Sequence, residues 1–470
     1  MQKVFRSCGE MDRKCYESYG LTEDILMEHA GMGMERYIRE NFERGSSVLI
    51  AAGKGNNGAD GIVLARLLYR DYDVRLYLPF CVKSVMAKLQ LERAVQVGVT
   101  VSDELLDADV VVDALFGAGL NRILDDKTIQ LLYKLNSFHG FKIACDIPTG
   151  VGEDGTLIPL AFKADITLTM GAYKEALYLD ESKDIIGRVE RIDLGVSSGL
   201  YESESRTFVL EAADLKLPHR QKEVTHKGTF GHAAIFTGEK EGAGIIAGTA
   251  ATRFGAGLTT LVVHEKSILP PYLMHATTVP GNATALAIGM GLGGYFEAEL
   301  LEKNVVHSHL PIVLDADALS SVQLLSIIEQ KDREVVLAPH PKEFTALWKI
   351  LTGEILKVSE VQAKRFEAVR IFNEKYPHVT LLLKGANTLI MQEEKLYINP
   401  LGCSKLSKGG SGDVLSGLIV SLLAQGYPAI DAAVQGSLAL SLAAQNYEGS
   451  SYAMLATDLI EQIALLEGKN

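Results

Sequence analysis

The chain has little that would suit it to an oxidising compartment, a membrane or a nucleic acid. Its five cysteines, Cys8, Cys15, Cys81, Cys145 and Cys403, are odd in number, and no two have C-x-x-C or zinc-ligand spacing. That leaves reduced, partly buried thiols as the expectation. No apolar run reaches the roughly 18 residues that suggest a membrane helix, so no membrane partner is expected. The opening segment MQKVFRSCGEMDRK lacks the apolar centre of a signal peptide, and a cytoplasmic location follows as an expectation. A positive excess is also missing. Lys and Arg number 46 against 59 Asp and Glu, a net charge of -13, which argues against a nucleic-acid partner. It does not argue against a nucleotide, which a few local amides and lysines can hold.

What is present is the material for large cores. The chain has 470 residues, 47% of them hydrophobic; at roughly 100–200 residues per domain this predicts two or three domains. Residues 10–45 read as helix. Apolar runs bounded by Gly and Asp then recur at Val48–Ala52, Val74–Leu78, Asp109–Ala114, Lys142–Cys145 and Asp165–Met170, with helical stretches between several of them. Such alternation predicts a parallel sheet covered by helices. The pattern lapses over the polar stretch Tyr201–Gly231, where a domain boundary is expected between residues 212 and 213. It resumes at His232–Gly238, Thr259–His264, Thr284–Gly289, Pro311–Leu314, Glu334–Ala338 and Thr380–Leu383. A two-stranded ribbon, Asn387–Met391 and Lys395–Asn399, is expected to turn at Gln392-Glu393-Glu394. Helices Asp413–Ala424 and Ala429–Asn446 follow. The expected fold is two tandem α/β domains, 1–212 and 213–470.

In the first domain a strand runs into Gly53-Lys54-Gly55-Asn56-Asn57-Gly58 and then a helix, a G-x-G-x-x-G loop in the right context to hold phosphate. A dinucleotide-dependent hydride transfer also needs an acid at the end of the next strand to hold the ribose. Val74–Leu78 ends instead in Pro79 and Phe80, and Asn56, Asn57 and Asp60 are polar beyond what a tight turn requires. Asp113 and Asp146 close two further strands, where α/β sheets place their chemistry. Either could be a turn or capping aspartate. Lys174 lies beyond a fourth strand, where it could equally be a solvated surface lysine.

The segments MDRKCYESYGLTEDILMEHAG, GKGNNGADG, DALFGAGL, DIPTG and GAYKEAL together resemble the NAD(P)H-hydrate epimerases of the N-terminal YjeF type, over roughly residues 1–210. The resemblance implies a Rossmann-like α/β/α sandwich. It implies substrate contacts from Asn56, Asn57, Gly58, Ala59 and Asp60 and from Gly117, Ala118, Gly119, Leu120, Asn121, Arg122 and Ile123. Asp146 would move the proton, and a potassium ion would sit on Asn57, Asp113 and Thr149. Ala59 stands where the family usually has Gly, and Thr149 where it often has Ser. Epimerising the C6 hydroxyl of a hydrated nicotinamide needs the ring electrons pushed out and returned. A nearby carboxyl can serve this as acid and base, with no redox partner.

In the second domain Lys408–Gly417 reads KGGSGDVLSG. Its glycines let backbone amides approach an anion at a helix start, beside Asp413, which is placed as a base for a substrate hydroxyl. Strand ends carry Asp315 and Asp317, His340, and Lys384-Gly385-Ala386-Asn387-Thr388. Several such features on one sheet predict a single crevice. HKGTFGHAAIFTG, EGAGIIAGTAATRFGAGL, AIGMGLG, LDADAL, APHPKEF, KGANT and GGSGD are similar, in order, to the ribokinase-like ADP/ATP-dependent NAD(P)H-hydrate dehydratases. The resemblance implies that Ala243, Gly291, His340 and Asp413 contact the hydrated nicotinamide nucleotide. Lys384, Gly385, Ala386, Asn387 and Thr388 with Gly409, Gly410, Ser411 and Gly412 would hold the adenine nucleotide, assisted by Mg2+. Met290, Lys342 and Ser411 depart from the usual Pro, Gly and Thr. The fused order points to ADP, with AMP and phosphate released, and the family implies a homo-oligomer. On the residues alone, the glycine loop and aspartate would serve a vitamin-precursor or sugar kinase equally. The first domain could likewise be a binding scaffold.

Overall fold

Near-continuous apolar runs become fully buried strands, as parallel sheets covered on both faces require. The structure, a computed structural model, describes residues 1–120, 122–152, 155–263, 268–293, 301–321 and 323–467. The chain divides into two units, Lys3–Ser205 and Arg206–Asn470, the second taking in Met1–Gln2.

The N-terminal unit holds a seven-stranded sheet: β1 (Ser47–Ala52), β2 (Asp73–Tyr77), β3 (Val101–Ser102), β4 (Val110–Ala114), β5 (Phe141–Cys145), β6 (Ile166–Met170) and β7 (Arg188–Ile192). Its order is β3-β2-β1-β4-β5-β6-β7, and every pairing is parallel. This is the doubly wound Rossmann order with one added edge strand. Two expected strands begin one residue later than predicted because an aspartate turns its side chain onto a neighbouring strand. Asp109 accepts the Ser47 amide at 2.8 Å, and Asp165 accepts the Lys142 amide at 2.8 Å. The helix expected over 10–45 is two helices, Gly9–Tyr19 and Glu23–Asn41. Gly20, at φ +67°, ends the first in the left-handed cap that glycine favours. Val4 and Phe5 run parallel to Tyr173 and Lys174, bringing the start of the chain beside β6.

The C-terminal unit has β8 (Thr207–Val209), β9 (His232–Phe236), β10 (Leu258–Val262), β11 (Met274–Ala276), β12 (Ala285–Ile288), β13 (Ile312–Leu314), β14 (Val335–Leu337), β15 (Thr380–Leu383), β16 (Thr388–Gln392) and β17 (Lys395–Asn399). Their order is β11-β10-β9-β12-β13-β14-β15-β16-β17-β8. All pairings are parallel except those of β16 with its two neighbours. The ribbon turns on Glu393 and Glu394, both at positive φ, while Gln392 stays in the ladder opposite Lys395; the expected turn included it. The end of the expected strand at His264 lies outside the described residues. Helix Ser411–Ala424 is buried from Val414 through Ala424, an all-round apolar helix of the kind that runs through a core. Gly417 lets it touch helix Glu241–Arg253: a Cβ there would stand 2.2 Å from the Ala247 carbonyl oxygen.

Candidate active sites

The sheet order of the N-terminal unit reverses between β1 and β4, and open α/β sheets bind ligands outside the strand carboxyl ends at such a point. The loop after β1 meets the loop after β4 so closely that a Cβ on Gly53 would lie 1.8 Å from the Leu115 carbonyl oxygen. Beside this junction lies a cavity of about 770 Å3. Of the residues expected from sequence, Asn56, Asn57, Asp60, Gly117, Ala118, Gly119, Leu120, Arg122 and Asp146 line it. Gly58, Ala59 and Ile123 do not. Gly58 is pressed on the Gly53 carbonyl, Ala59 is buried among Met27, Val63 and Ala87, and Ile123 is 79% exposed. Asn121 lies outside the described residues.

Asp146 leaves β5 at φ +68°, a left-handed backbone that non-glycine residues seldom adopt. Its Oδ1 receives the Lys174 ammonium at 2.7 Å and the Met170 amide at 3.1 Å. Its Oδ2 lies 3.4 Å from the Ala118 amide. Lys174 is only 2% exposed and also donates to Thr169 Oγ1 and to the carbonyls of Met170 and Ala172, at 2.9–3.1 Å. Burial is the largest single influence and works against its charge, but Asp146 and Cys8 together outweigh it and the ammonium's pKa rises. The sequence left Lys174 undecided; the fold makes it the partner of Asp146. The sequence reading also missed Asp12, Tyr16, Glu23 and Tyr201 in the same wall. Tyr201 donates to Asp12 at 2.7 Å, and Asn56 donates to Glu23 at 2.5 Å.

Asp113 has no exposed surface. It accepts the Thr149 amide and hydroxyl, both at 2.7 Å, and the Leu115 amide at 3.1 Å. Burial nevertheless pushes its pKa to about 6. The Asn57 amide nitrogen is buried without a hydrogen-bond partner. A buried carboxylate with carbonyl and hydroxyl oxygens nearby is the donor set a hard cation prefers. Asp113 and Thr149, joined to each other at 2.7 Å, supply oxygens of that type.

In the C-terminal unit the order reverses between β9 and β12. Ala243 and Gly291 meet there, a Gly291 Cβ falling 3.0 Å from the Ala243 Cβ. Further along the same strand ends, β13 delivers Asp315, β14 His340 and β15 Lys384. Asp315 is 2% exposed and joins three elements: it takes the Lys384 ammonium at 2.5 Å, the Ser416 hydroxyl at 2.7 Å and the Ala316 amide at 2.8 Å. A Cβ on Gly412 would stand 3.6 Å from the Lys384 nitrogen, so the glycine loop and Lys384 share one hollow. Arg365, 1% exposed, donates to the carbonyls of Leu383, Lys384 and Asn387 at 3.0–3.2 Å. It braces the Lys384–Thr388 loop from inside, and no sequence motif pointed to it. Gly410, at φ +95°, opens helix Ser411–Ala424, and the Ser411 hydroxyl contacts the Leu406 and Lys408 carbonyls at 2.8 Å. Asp413 stands in the first turn. Burial and then the Asp315 charge raise its pKa to about 6, against a lowering by Lys384. His340 caps helix Pro341–Thr352, its Nδ1 accepting the Lys342 and Glu343 amides. Lys342 is exposed.

Fold and sites together define a tandem α/β enzyme, a Rossmann-like unit followed by a ribokinase-like unit with a glycine-rich anion loop. Comparison with known proteins narrows this. A family model described as YjeF-related protein N-terminus matches residues 23–176, and one described as NAD(P)H-hydrate dehydratase matches 233–465. Bifunctional NAD(P)H-hydrate repair enzymes from Helicobacter pylori and Escherichia coli are 39% and 31% identical. The alignments cover 99% and 96% of this chain, and 100% and 91% of those relatives. The solved ADP/ATP-dependent NAD(P)H-hydrate dehydratase of Bacillus subtilis, co-crystallised with ATP/Mg2+, is 26% identical; it superposes with a TM-score of 0.44 over 53% of this chain and 92% of its own. The chain belongs to the family of bifunctional NAD(P)H-hydrate repair enzymes.

Proposed function

We propose that residues 1–212 interconvert the R and S hydrates of NAD(P)H and that residues 213–470 dehydrate the S form, consuming ADP and releasing AMP and phosphate. The observation that carries this is the pair of carboxyl-centred sites in a chain matched end to end by bifunctional relatives. Asp146 closes β5 on the cavity beside the switch point of one sheet, and Asp413 stands at the glycine-rich helix start of the other unit. Asn56, Asn57, Asp60 and the Gly117–Arg122 loop hold the hydrate in the first site, with Asp146 as the proton-moving group. K+ on Asn57, Asp113 and Thr149 would supply positive charge to the buried carboxylate there.

In the second site Ala243, Gly291, His340 and Asp413 face the hydrate. Lys384–Thr388 and Gly409–Gly412 hold the adenine nucleotide. Asp413 takes the proton of the C6 hydroxyl as the hydroxyl attacks the terminal phosphorus of the nucleotide. The glycine amides stabilise charge on the phosphoryl oxygens. Phosphate then leaves C6 under the push of the ring nitrogen, C5 gives up a proton, and the reduced nicotinamide is restored. Mg2+, held chiefly by the nucleotide phosphates, would offset their charge. The proposal extends to a cytoplasmic homo-oligomer, which sedimentation of the purified protein tests. Among the described residues no helix is long and apolar enough to cross a membrane.

The test is to give the purified protein R and S hydrates with ADP or ATP. Asp146→Ala should leave S-hydrate dehydration intact but strand the R form, whereas Asp413→Ala should do the reverse. A wild-type protein that leaves the S hydrate untouched with both nucleotides would refute the proposal.

A further inference from the structure

The cavity of the N-terminal unit is lined by four carboxyl groups, and three of them have donors. Asp146 has the Lys174 ammonium at 2.7 Å and the Met170 amide at 3.1 Å. Asp12 has the Tyr201 hydroxyl at 2.7 Å, and Glu23 has the Asn56 amide at 2.5 Å. Asp60 is the exception. It stands in the second turn of helix Asn56–Leu68, on the cavity wall, and its carboxyl makes no hydrogen bond or ion pair among the described residues. The titratable groups that face it are Asp146 at the end of β5, Asp12 on helix Gly9–Tyr19 and Glu23 at the start of helix Glu23–Asn41. Tyr16 and the thiol of Cys145 lie close enough to feel its charge. None of these is a cation. Lys174, the buried ammonium of the site, is committed to Asp146.

A carboxyl without donors, sunk among other acids, favours the neutral form. Burial first, and then the charges of Asp146, Asp12 and Glu23, push the Asp60 pKa well up. One cavity therefore holds a carboxyl supplied with an ammonium and an amide, Asp146, and a carboxyl with no donor, Asp60, pushed toward its neutral form. Two carboxyls so differently partnered, one donor-rich and one donor-free, can divide the acid and base roles between them.

We propose that Asp60 is the proton donor of the epimerisation and Asp146 the proton acceptor, the two acting on opposite faces of the C6 carbinol carbon. Resting on the epimerase reading above, this assigns its missing acid. Asp60 gives its proton to the C6 hydroxyl, the C6–O bond breaks, and water departs as the ring-nitrogen lone pair forms a C=N bond. A water on the other face then bonds to C6, that π pair returns to nitrogen, and Asp146 takes the proton the water releases. Asp60 ends ionised and Asp146 protonated. Proton exchange with solvent through the cavity mouth resets them, or the opposite epimer uses them in reverse. Lys174 is a positioning residue that holds the Asp146 carboxyl in place.

The test compares wild type, Asp60→Asn, Asp60→Glu and Lys174→Met as full-length proteins, with epimerisation kcat and KM followed across pH. Asp60→Asn should lower kcat by about 100-fold or more while KM stays within about threefold. Wild type should lose rate at alkaline pH, that loss should be absent from the residual activity of Asp60→Asn, and Asp60→Glu should recover part of kcat. Lys174→Met should lower kcat more than it raises KM, because Asp146 loses the ammonium that orients its carboxyl. In water enriched in oxygen-18 the epimerised product should carry the label. Asp60→Asn with wild-type kcat, a loss confined to KM, an alkaline limb that persists in that variant, or an unlabelled product would each overturn the assignment. A wild type that does not epimerise at all would overturn the functional reading beneath it.

Discussion

Replacing Asp413 with Asn should make the C-terminal unit more stable at the pH where it destroys the dehydratase. The Asp413 pKa is raised from 3.8 to about 6, chiefly by burial and next by the Asp315 carboxylate. The folded state therefore binds this proton more tightly than the unfolded chain does. Between those two values the folded state holds more protons, so stability falls as pH rises through the interval and stays lowered above it. One pH unit is worth about 1.4 kcal/mol, which makes the interval an upper bound of roughly 3 kcal/mol. Asp413 is only partly buried, and solvent screening cuts the expected effect to about 1–2 kcal/mol. Asn has nearly the shape of the protonated acid and never ionises. The assay is denaturant unfolding of both proteins without nucleotide, following the transition that ADP shifts. The Asn variant should match wild type at about pH 4 and exceed it by about 1–2 kcal/mol at about pH 8. Its dehydration rate should fall by about 100-fold or more. A variant no more stable than wild type at the higher pH, or a difference that does not change with pH, would refute the argument.

Asp315→Asn keeps a hydrogen-bonding side chain but removes the charge that raises the Asp413 pKa and frees Lys384 to lower it; kcat/KM for dehydration should then rise at lower pH than in wild type, and an unmoved acid limb would count against the assignment. Asp113→Asn removes the buried negative charge, so epimerisation should lose its response to potassium, and a rate that still climbs with added potassium would show that the ion sits elsewhere. Gly417→Val puts a branched side chain where even a Cβ would lie 2.2 Å from the Ala247 carbonyl; forcing the two helices apart should cost about 1–3 kcal/mol or more, read as a lowered melting temperature, and an unchanged one would mean the helices are not closely packed.

The central strands were legible because burial on both faces writes itself as uninterrupted apolar sequence. Val110–Ala114 is VVVDA and Thr380–Leu383 is TLLL, each wholly buried. The strands that escaped are short or lie at sheet edges. Val101–Ser102 has two residues, and Met274–Ala276 has three, all at least partly exposed. Arg188–Ile192 carries two arginines and a glutamate and is fully buried only at Ile192. An edge strand has solvent on one side, so nothing forces its composition to become apolar. The break at Gly20 was hidden for a different reason. Both flanking segments are good helix formers, and the interruption rests on the backbone angle of one residue.

The candidate sites were legible as motifs but not as surfaces. GKGNNGADG marks a loop and the start of a helix, yet a contiguous motif does not say which of its residues face a ligand. Once the helix forms, a period of 3.6 residues sorts them. Asn56 and Asp60, four apart, stand on the cavity wall, while Ala59 turns into the core at 0% exposure. Lys174 shows the converse. It is 28 residues from Asp146 in the chain, and nothing local in GAYKEAL distinguishes it from a solvated lysine. Its partner is fixed only when β5 and β6 pair in register, Cys145 opposite Leu168, so that the chain leaving β6 folds back over the end of β5. The same holds for Asp315 and Lys384, 69 residues apart and joined across the ends of β13 and β15. In both units a motif supplies the carboxyl proposed to meet the substrate. The sheet register then sets a cation beside a carboxyl in each, Lys174 on Asp146 in the first and Lys384 on Asp315, the charged neighbour of Asp413, in the second.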